Sequence, residues 1–282
     1  MAEVFSLEQG ERVFPFRGIY YNREIVKDLA KVICPPYDVI TSEQQRLYYE
    51  RSGYNAIRLE YPAESREFTD DSYQRAAITF QQWRKQGVLQ ADDLPAFYLH
   101  DHYFTYGGEG RKRRGVIARV KLEPWGNGIY SHEETFSKAK EDRLQLMRAC
   151  QANFSPLFSL YQDPEQKITS ILAEASQVKP LIEISAPSLA KGEGEGGERH
   201  IVWAITDSKI KQLISRFLST QPLYMADGHH RYETALAYQQ ERYSYHSDSS
   251  KLTADNFQYV MMELVELSDP GLVILPLHRL VR

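Results

Sequence analysis

Two β-type runs about a glycine-rich turn set the tightest limit on how this chain can fold. In AFYLHDHYFTY (Ala96–Tyr106) and RGVIARVKLE (Arg114–Glu123), aromatic and β-branched residues recur, with Gly107, Gly108 and Gly110 between them. Such a pair reads as a β-hairpin and places antiparallel neighbours in the sheet. A purely parallel, doubly wound sheet is thereby disfavoured. Elsewhere strands hand over to helices. SPLFSLY precedes PEQKITSILAEAS, and PLYMA precedes a helix from His229 to about Arg242. Hairpins mixed with strand–helix units predict an α+β fold with a mixed sheet and packed helices.

Local signals fill in the remaining elements. Thr41 or Ser42 is predicted to cap a helix through Glu50, and NAIRLEY alternates as a strand would. DDSYQRAAITFQQWRKQG reads as a helix with acidic residues at its start and Gly87 as its stop. KAKEDRLQLMRACQ reads as another. PLIEIS and HIVWAIT are expected to pair across KGEGEGGE, and Asp207 or Ser208 caps KIKQLISRFLS. FQYVMMELVEL and GLVILPLHRLV read as closing strands. The last run stops at Arg282 in mid-pattern, and from this we expect the chain to be C-terminally truncated.

Composition removes several classes. A formal charge of −4 argues against a nucleic-acid binder. No run of about 18 apolar residues exists to span a membrane, and MAEVFSLEQGERVFPF lacks the form of a signal peptide. The two cysteines, Cys34 and Cys150, form no CxxC pair, so neither a disulfide scaffold nor a cysteine zinc site is expected. A cytoplasmic protein acting on a small molecule is the expectation.

The segment PLYMADGHHRYETALAYQQ (Pro222–Gln240) carries the strongest chemical signal. Asp227 can cap the helix, and Gly228 allows a tight bend and a close ligand. The first helical turn offers unpaired N–H groups and the positive end of the helix dipole. His229, His230 and Arg231 add donors at an end that disfavours cations. A bound anion, phosphate above all, resolves that mismatch.

Several blocks resemble the bacterial and archaeal family known as domain of unknown function 1015 (DUF1015). They are FPFRGIYYN, KVICPPYDVI, NAIRLEYP, SHEETFSKAKEDRLQLMRACQANFSPLFSLY and ADGHHRYETAL, and the terminal LPLHRLV resembles a further family segment. Ser131 stands where members usually have proline before the His-Glu pair. The box Asp-Gly-His-His-Arg is similar to the phosphate-binding box of the ParB/sulfiredoxin superfamily, whose members bind CTP or ATP and include free-serine kinases. The resemblance implies that Gly228, His229, His230 and Arg231 hold phosphate, with Asp227 supporting the loop or the reacting hydroxyl. It also implies a composite ParB/sulfiredoxin-like core from residues 1–62 and 200–282, with 63–199 as an inserted α+β region.

Two further constellations supply acids and bases. His132 and Glu133 in SHEETFSKAKEDR can act as general acid/base or bind a divalent ion, Thr135 or Ser137 can cap the charged helix that follows, and Lys138 and Arg143 can reach a nucleotide tail. The zinc-protease pattern HExxH fails, because Phe136 takes the second histidine's place. In CPPYDVI two prolines stiffen the turn that presents Tyr37 and Asp38, and Asp38 is a candidate base or magnesium ligand. Arg17 reads as locally paired. RKRR (Arg111–Arg114) reads as a solvated hairpin tip, and GEGEGG as a hairpin connection. His100 and His102 share a strand face and read as rim histidines, although that spacing also suits a shared metal. His278 and Arg279 are candidates to join the site.

Three functions follow. The first is a small-molecule kinase using ATP, ADP or CTP with Mg2+, with Asp38, Glu133 and Asp227 as catalytic acids and His132 beside the nucleotide. The second is a nucleotide-sensing module with no chemistry. The third is a metal-dependent hydrolase built on His132, Glu133, Asp227, His229 and His230.

Overall fold

Short polar caps and alternating apolar runs place most elements. The structure, a computed structural model, describes residues 10–63, 71–133, 137–187, 197–245 and 256–275. The chain opens with two short strands, β1 (Val13–Phe14) and β2 (Ile19–Tyr21). Helix α1 (Ser42–Arg51) begins at a capping box, in which Thr41 and Gln44 each satisfy the other's backbone N–H. A short helix, α2 (Ile57–Glu60), follows. Helix α3 (Ser72–Lys85) starts at Asp71, whose carboxylate accepts from the Tyr73 amide.

Strand β3 (Leu89–Ala91) pairs with β2. Then come the long hairpin strands β4 (Phe97–Tyr106) and β5 (Glu109–Lys121), and the short β6 (Ile129–Tyr130). Helix α4 (Ser137–Cys150), strand β7 (Leu157–Tyr161) and helix α5 (Lys167–Ala175) come next. Asp163 starts α5 by accepting from the amides of Lys167, Ile168 and Thr169. Strands β8 (Ile182–Pro187) and β9 (Gly197–Ile205) precede helix α6 (Ser208–Thr220), which Asp207 caps. Strand β10 (Leu223–Asp227), helix α7 (His229–Tyr245) and strand β11 (Tyr259–Glu266) complete the described chain.

Nine of these strands form one mixed sheet in the order β6-β10-β7-β11-β5-β4-β9-β8, with β1 added against β5. β10 runs parallel to β6 and β11 parallel to β7, while the other neighbours are antiparallel. Strands from 63–199 alternate in this sheet with strands from both flanking segments, β5 pairing with both β1 and β11. The main core lies where Leu99, Val116, Ala118, Trp203, Met262 and Leu264 meet Leu172, Ile214, Leu218 and Tyr232 from α5, α6 and α7. A second cluster joins Phe80 and Trp83 of α3 to Val26, Leu29 and Val32, with Ile182 and Ile184 of β8 packed against it.

Three expectations are corrected. NAIRLEY is not a strand: Asn55, fully buried, accepts from the Ile57 amide and donates to the carbonyls of Lys31 and Ile33, which starts α2. An Asn that bonds the backbone ahead of it offers a turn where four alternating residues could equally suit a strand. Arg111–Arg114 is not a solvated tip, because the turn closes at Gly107 and Gly108, both at positive φ, and β5 runs on through the arginines. Arg114 forms a two-pronged pair with Asp101, itself 1 % exposed, at 2.6 and 2.7 Å. Residues 271–275 form a turn and irregular chain rather than a strand. His278, Arg279, Thr135 and most of the GEGEGG connection lie outside the described residues, as does the Lys138 side chain.

The cysteines are unpaired, and burial pushes each thiol up to about 12. Among the described residues, no helix is long and apolar enough to cross a membrane.

Candidate functional site

Strand β10 lies inside the sheet, between β6 and β7, and delivers α7 after one residue, Gly228. Gly228 sits at φ +95°, where L side chains are rarely found, and a Cβ there would come within 2.9 Å of Leu157 Cδ2. Only glycine makes this corner without strain. The first helical bond runs from the Tyr232 amide to the Gly228 carbonyl at 2.9 Å. The amides of His229, His230 and Arg231 therefore precede any intrahelical acceptor. Gly228 takes the cap position assigned to Asp227. Asp227 lies one residue earlier, and its carboxylate accepts from Arg231 Nη2 at 2.9 Å.

Arg231 is held by the protein on both prongs. Its Nη1 donates to the Pro156 carbonyl at 2.9 Å and more weakly to that of Ser155 at 3.5 Å. Its side chain is 17 % exposed, whereas that of Asp227 is 63 % exposed. Arg231 also lines a cavity of about 40 Å³ with Glu60, Arg143, Phe154 and Thr234, a space of water size.

His229 and His132 divide two roles. His229 is 1 % exposed; its Nε2 accepts the His132 amide at 3.4 Å and its Nδ1 lies 3.1 Å from Glu133 Oε1. The neutral tautomer with the proton on Nδ1 meets both partners. Burial pushes the His229 pKa below its ordinary value, against the pull of Glu133. His132 Nδ1 lies 2.9 Å from the Met225 carbonyl. A carbonyl only accepts, so the proton sits on Nδ1 and the lone pair on Nε2. His132 is exposed and its ring meets that of His229 edge-on, with centroids 4.6 Å apart. Its backbone amide is held by His229, which Glu133 contacts in turn.

The rigid CPPYD turn reaches the same neighbourhood through Tyr37. The Arg143 guanidinium lies over the Tyr37 ring, 3.9 Å from its centroid. Arg143 is buried, and it donates to Asp142 at 2.7 Å and to the Glu60 carbonyl at 2.7 Å. Burial raises the Tyr37 phenol above its usual value, against Arg143 and Arg231. Asp38 is exposed in the 3₁₀ turn Tyr37–Val39 and acts on Tyr37 by its charge. His230 is half-buried, and its carbonyl accepts from Thr234 Oγ1 at 2.8 Å. Arg17 donates to the Asp92 carbonyl at 2.5 Å, a local pairing.

The fold thus brings Asp227, Gly228, Arg231, His229, His132 and Glu133 to one strand end, with Tyr37 and Arg143 behind. Among the described residues, the hydrolase set does not gather as three metal-ligand atoms within 4.8 Å, a condition that His102, Glu198 and His200 alone meet. Sequence reasoning missed Trp125, whose ring lies 6.0 Å from that of His229 and 4.4 Å from that of Tyr232. Its position just before a Gly-Asn-Gly turn was the available signal. It also missed the 155–156 carbonyls that hold Arg231, for which no sequence signal exists.

No curated protein and no solved structure matches the chain. The family described as "Protein of unknown function (DUF1015)" matches residues 13–282. With a match over nearly its whole length, the chain belongs to the DUF1015 family.

Proposed function

We propose that the protein binds a nucleotide by its phosphates at the start of α7 and transfers a phosphoryl group to a small hydroxyl-bearing molecule. The observation that carries this reading is the β10–Gly228–α7 corner, where a positive-φ glycine opens the helix beside an Arg231 whose acidic partner is exposed. Phosphate takes the place of the Asp227 carboxylate at Arg231 Nη2. The released carboxylate would then be free to hold Mg2+ or the acceptor hydroxyl, and the His132 Nε2 lone pair would take the hydroxyl proton. The bonds that Arg231 Nη1 donates to the Ser155 and Pro156 carbonyls keep the guanidinium in place during that exchange. The likeness of this box to ParB/sulfiredoxin-type phosphate sites supports the same reading.

The test is thermal unfolding with ATP, ADP or CTP and Mg2+. At about 100 times Kd, bound nucleotide stabilises by about 2.7 kcal/mol. The rise should vanish in Arg231→Ala, with each protein compared to its own ligand-free state. The reading fails if no nucleotide raises the midpoint, or if Arg231→Ala responds as the wild type does. Bound nucleotide without product from any hydroxyl acceptor identifies a sensing module instead.

A further inference from the structure

A second cluster stands on β4 and β9, away from the start of α7. His102 of β4 lies directly opposite His200 of β9, and Glu198 is two residues before His200, on the same face. Glu198 Oε2 is 3.3 Å from His102 Nε2 and 3.5 Å from His200 Nε2. All three ligand atoms lie within 4.8 Å of one another. Zinc ligands held tetrahedrally at about 2.0–2.1 Å stand roughly 3.3–3.4 Å apart. The 3.3 Å edge has that length and the 3.5 Å edge is close to it. The three side chains are 15, 14 and 23 % exposed, so an ion can enter and a water can complete its shell.

The layer beneath fixes the proton positions. Glu263 Oε1 lies 2.8 Å from His100 Nδ1, and His100 Nε2 lies 3.0 Å from His200 Nδ1. A carboxylate only accepts, so a neutral His100 carries its proton on Nδ1, and its Nε2 then accepts from His200 Nδ1–H. His200 Nε2 is left with a lone pair facing the Glu198 carboxylate. In that state the lone pair and the carboxylate present the donor set that a divalent cation takes. Carboxylate-to-imidazole support of this kind orients metal-ligating histidines. Gly115 makes it possible, since a Cβ there would lie 2.6 Å from Glu263 Oε1. Arg113, opposite His102 on β5, is an adjoining cation; its guanidinium lies over the Phe158 ring, and its charge acts on Glu263.

We propose that His102, Glu198 and His200 bind one divalent transition-metal ion, with His100 and Glu263 as positioning residues. Two imidazoles and one carboxylate suit zinc, with a fourth position for water. The site is separate from the phosphate corner and stands whether or not nucleotide binds there.

Tag-free protein, stripped with chelator and dialysed, is titrated with Zn2+ alone by calorimetry, and with Co2+ followed by its visible absorption. One equivalent per chain is expected. His102→Asn and Glu198→Gln, which preserve size, should abolish uptake while circular dichroism stays native. Glu263→Gln should weaken binding roughly 10- to 100-fold. His132→Ala and His229→Ala should leave uptake intact. The proposal is overturned by absence of stoichiometric Zn2+, by uptake unchanged in His102→Asn, or by uptake lost only in the His132 or His229 variants.

Discussion

The His132 backbone amide donates to Nε2 of His229 at 3.4 Å, tying the chain ahead of α4 to the first residue of α7. That bond needs a neutral His229, because a protonated imidazole has no lone pair to accept with.

Acid should therefore loosen this corner. The folded pKa of His229 lies below its ordinary 6.5, since burial disfavours the charged ring. Below about 6.5 the unfolded chain takes up the proton before the folded one does. The contribution is whole above pH 6.5, falls as pH drops, and is lost once pH passes the folded pKa. Thermal midpoints from pH 7.5 to 5 should drop more steeply in the wild type than in His229→Gln. Parallel curves would refute the assignment.

Gly228→Ala should cost about 1–3 kcal/mol in stability. Its φ of +95° disfavours any Cβ, and Leu157 Cδ2 stands in the way at 2.9 Å. Urea unfolding measures it; a change under about 0.5 kcal/mol would show that the corner relaxes freely.

Gly115→Ala should be destabilising by about 1–3 kcal/mol, the usual cost of overpacking. The new methyl would meet Glu263 Oε1 at 2.6 Å and Val265 Cγ2 at 3.0 Å, forcing Glu263 off His100. Gly53, with open space around its Cβ position, gives the control, since Gly53→Ala should change stability little.

Asp101→Ala should cost about 3–5 kcal/mol, because it strands the guanidinium of Arg114, which is 14 % exposed. Replacing both partners, as Asp101→Leu with Arg114→Met, should recover most of that loss. Equal losses in the single and double variants would mean that packing, not charge, dominates.

Local chemistry was legible from the order of residues. The hairpin about Gly107 and Gly108, the caps Thr41, Asp71 and Asp207, and the β10–Gly228–α7 corner each depend on neighbours within a few positions. NAIRLEY misled because a buried Asn55 bonds carbonyls 22 and 24 residues away, and those contacts favour a turn.

What required the tertiary structure is the pairing of distant groups. Arg231 meets a carbonyl 75 residues back, His100 meets Glu263 at 163 residues, and His102 meets Glu198 at 96. Strand register sets those partners: a shift of one residue between β4 and β9 would send His200 to the opposite face from His102. The sequence alone therefore determined which residues could do chemistry and the helix start that presents them. The sheet's order and register decided which of them meet, because a strand shows its periodicity locally but finds its neighbour only when the whole core closes.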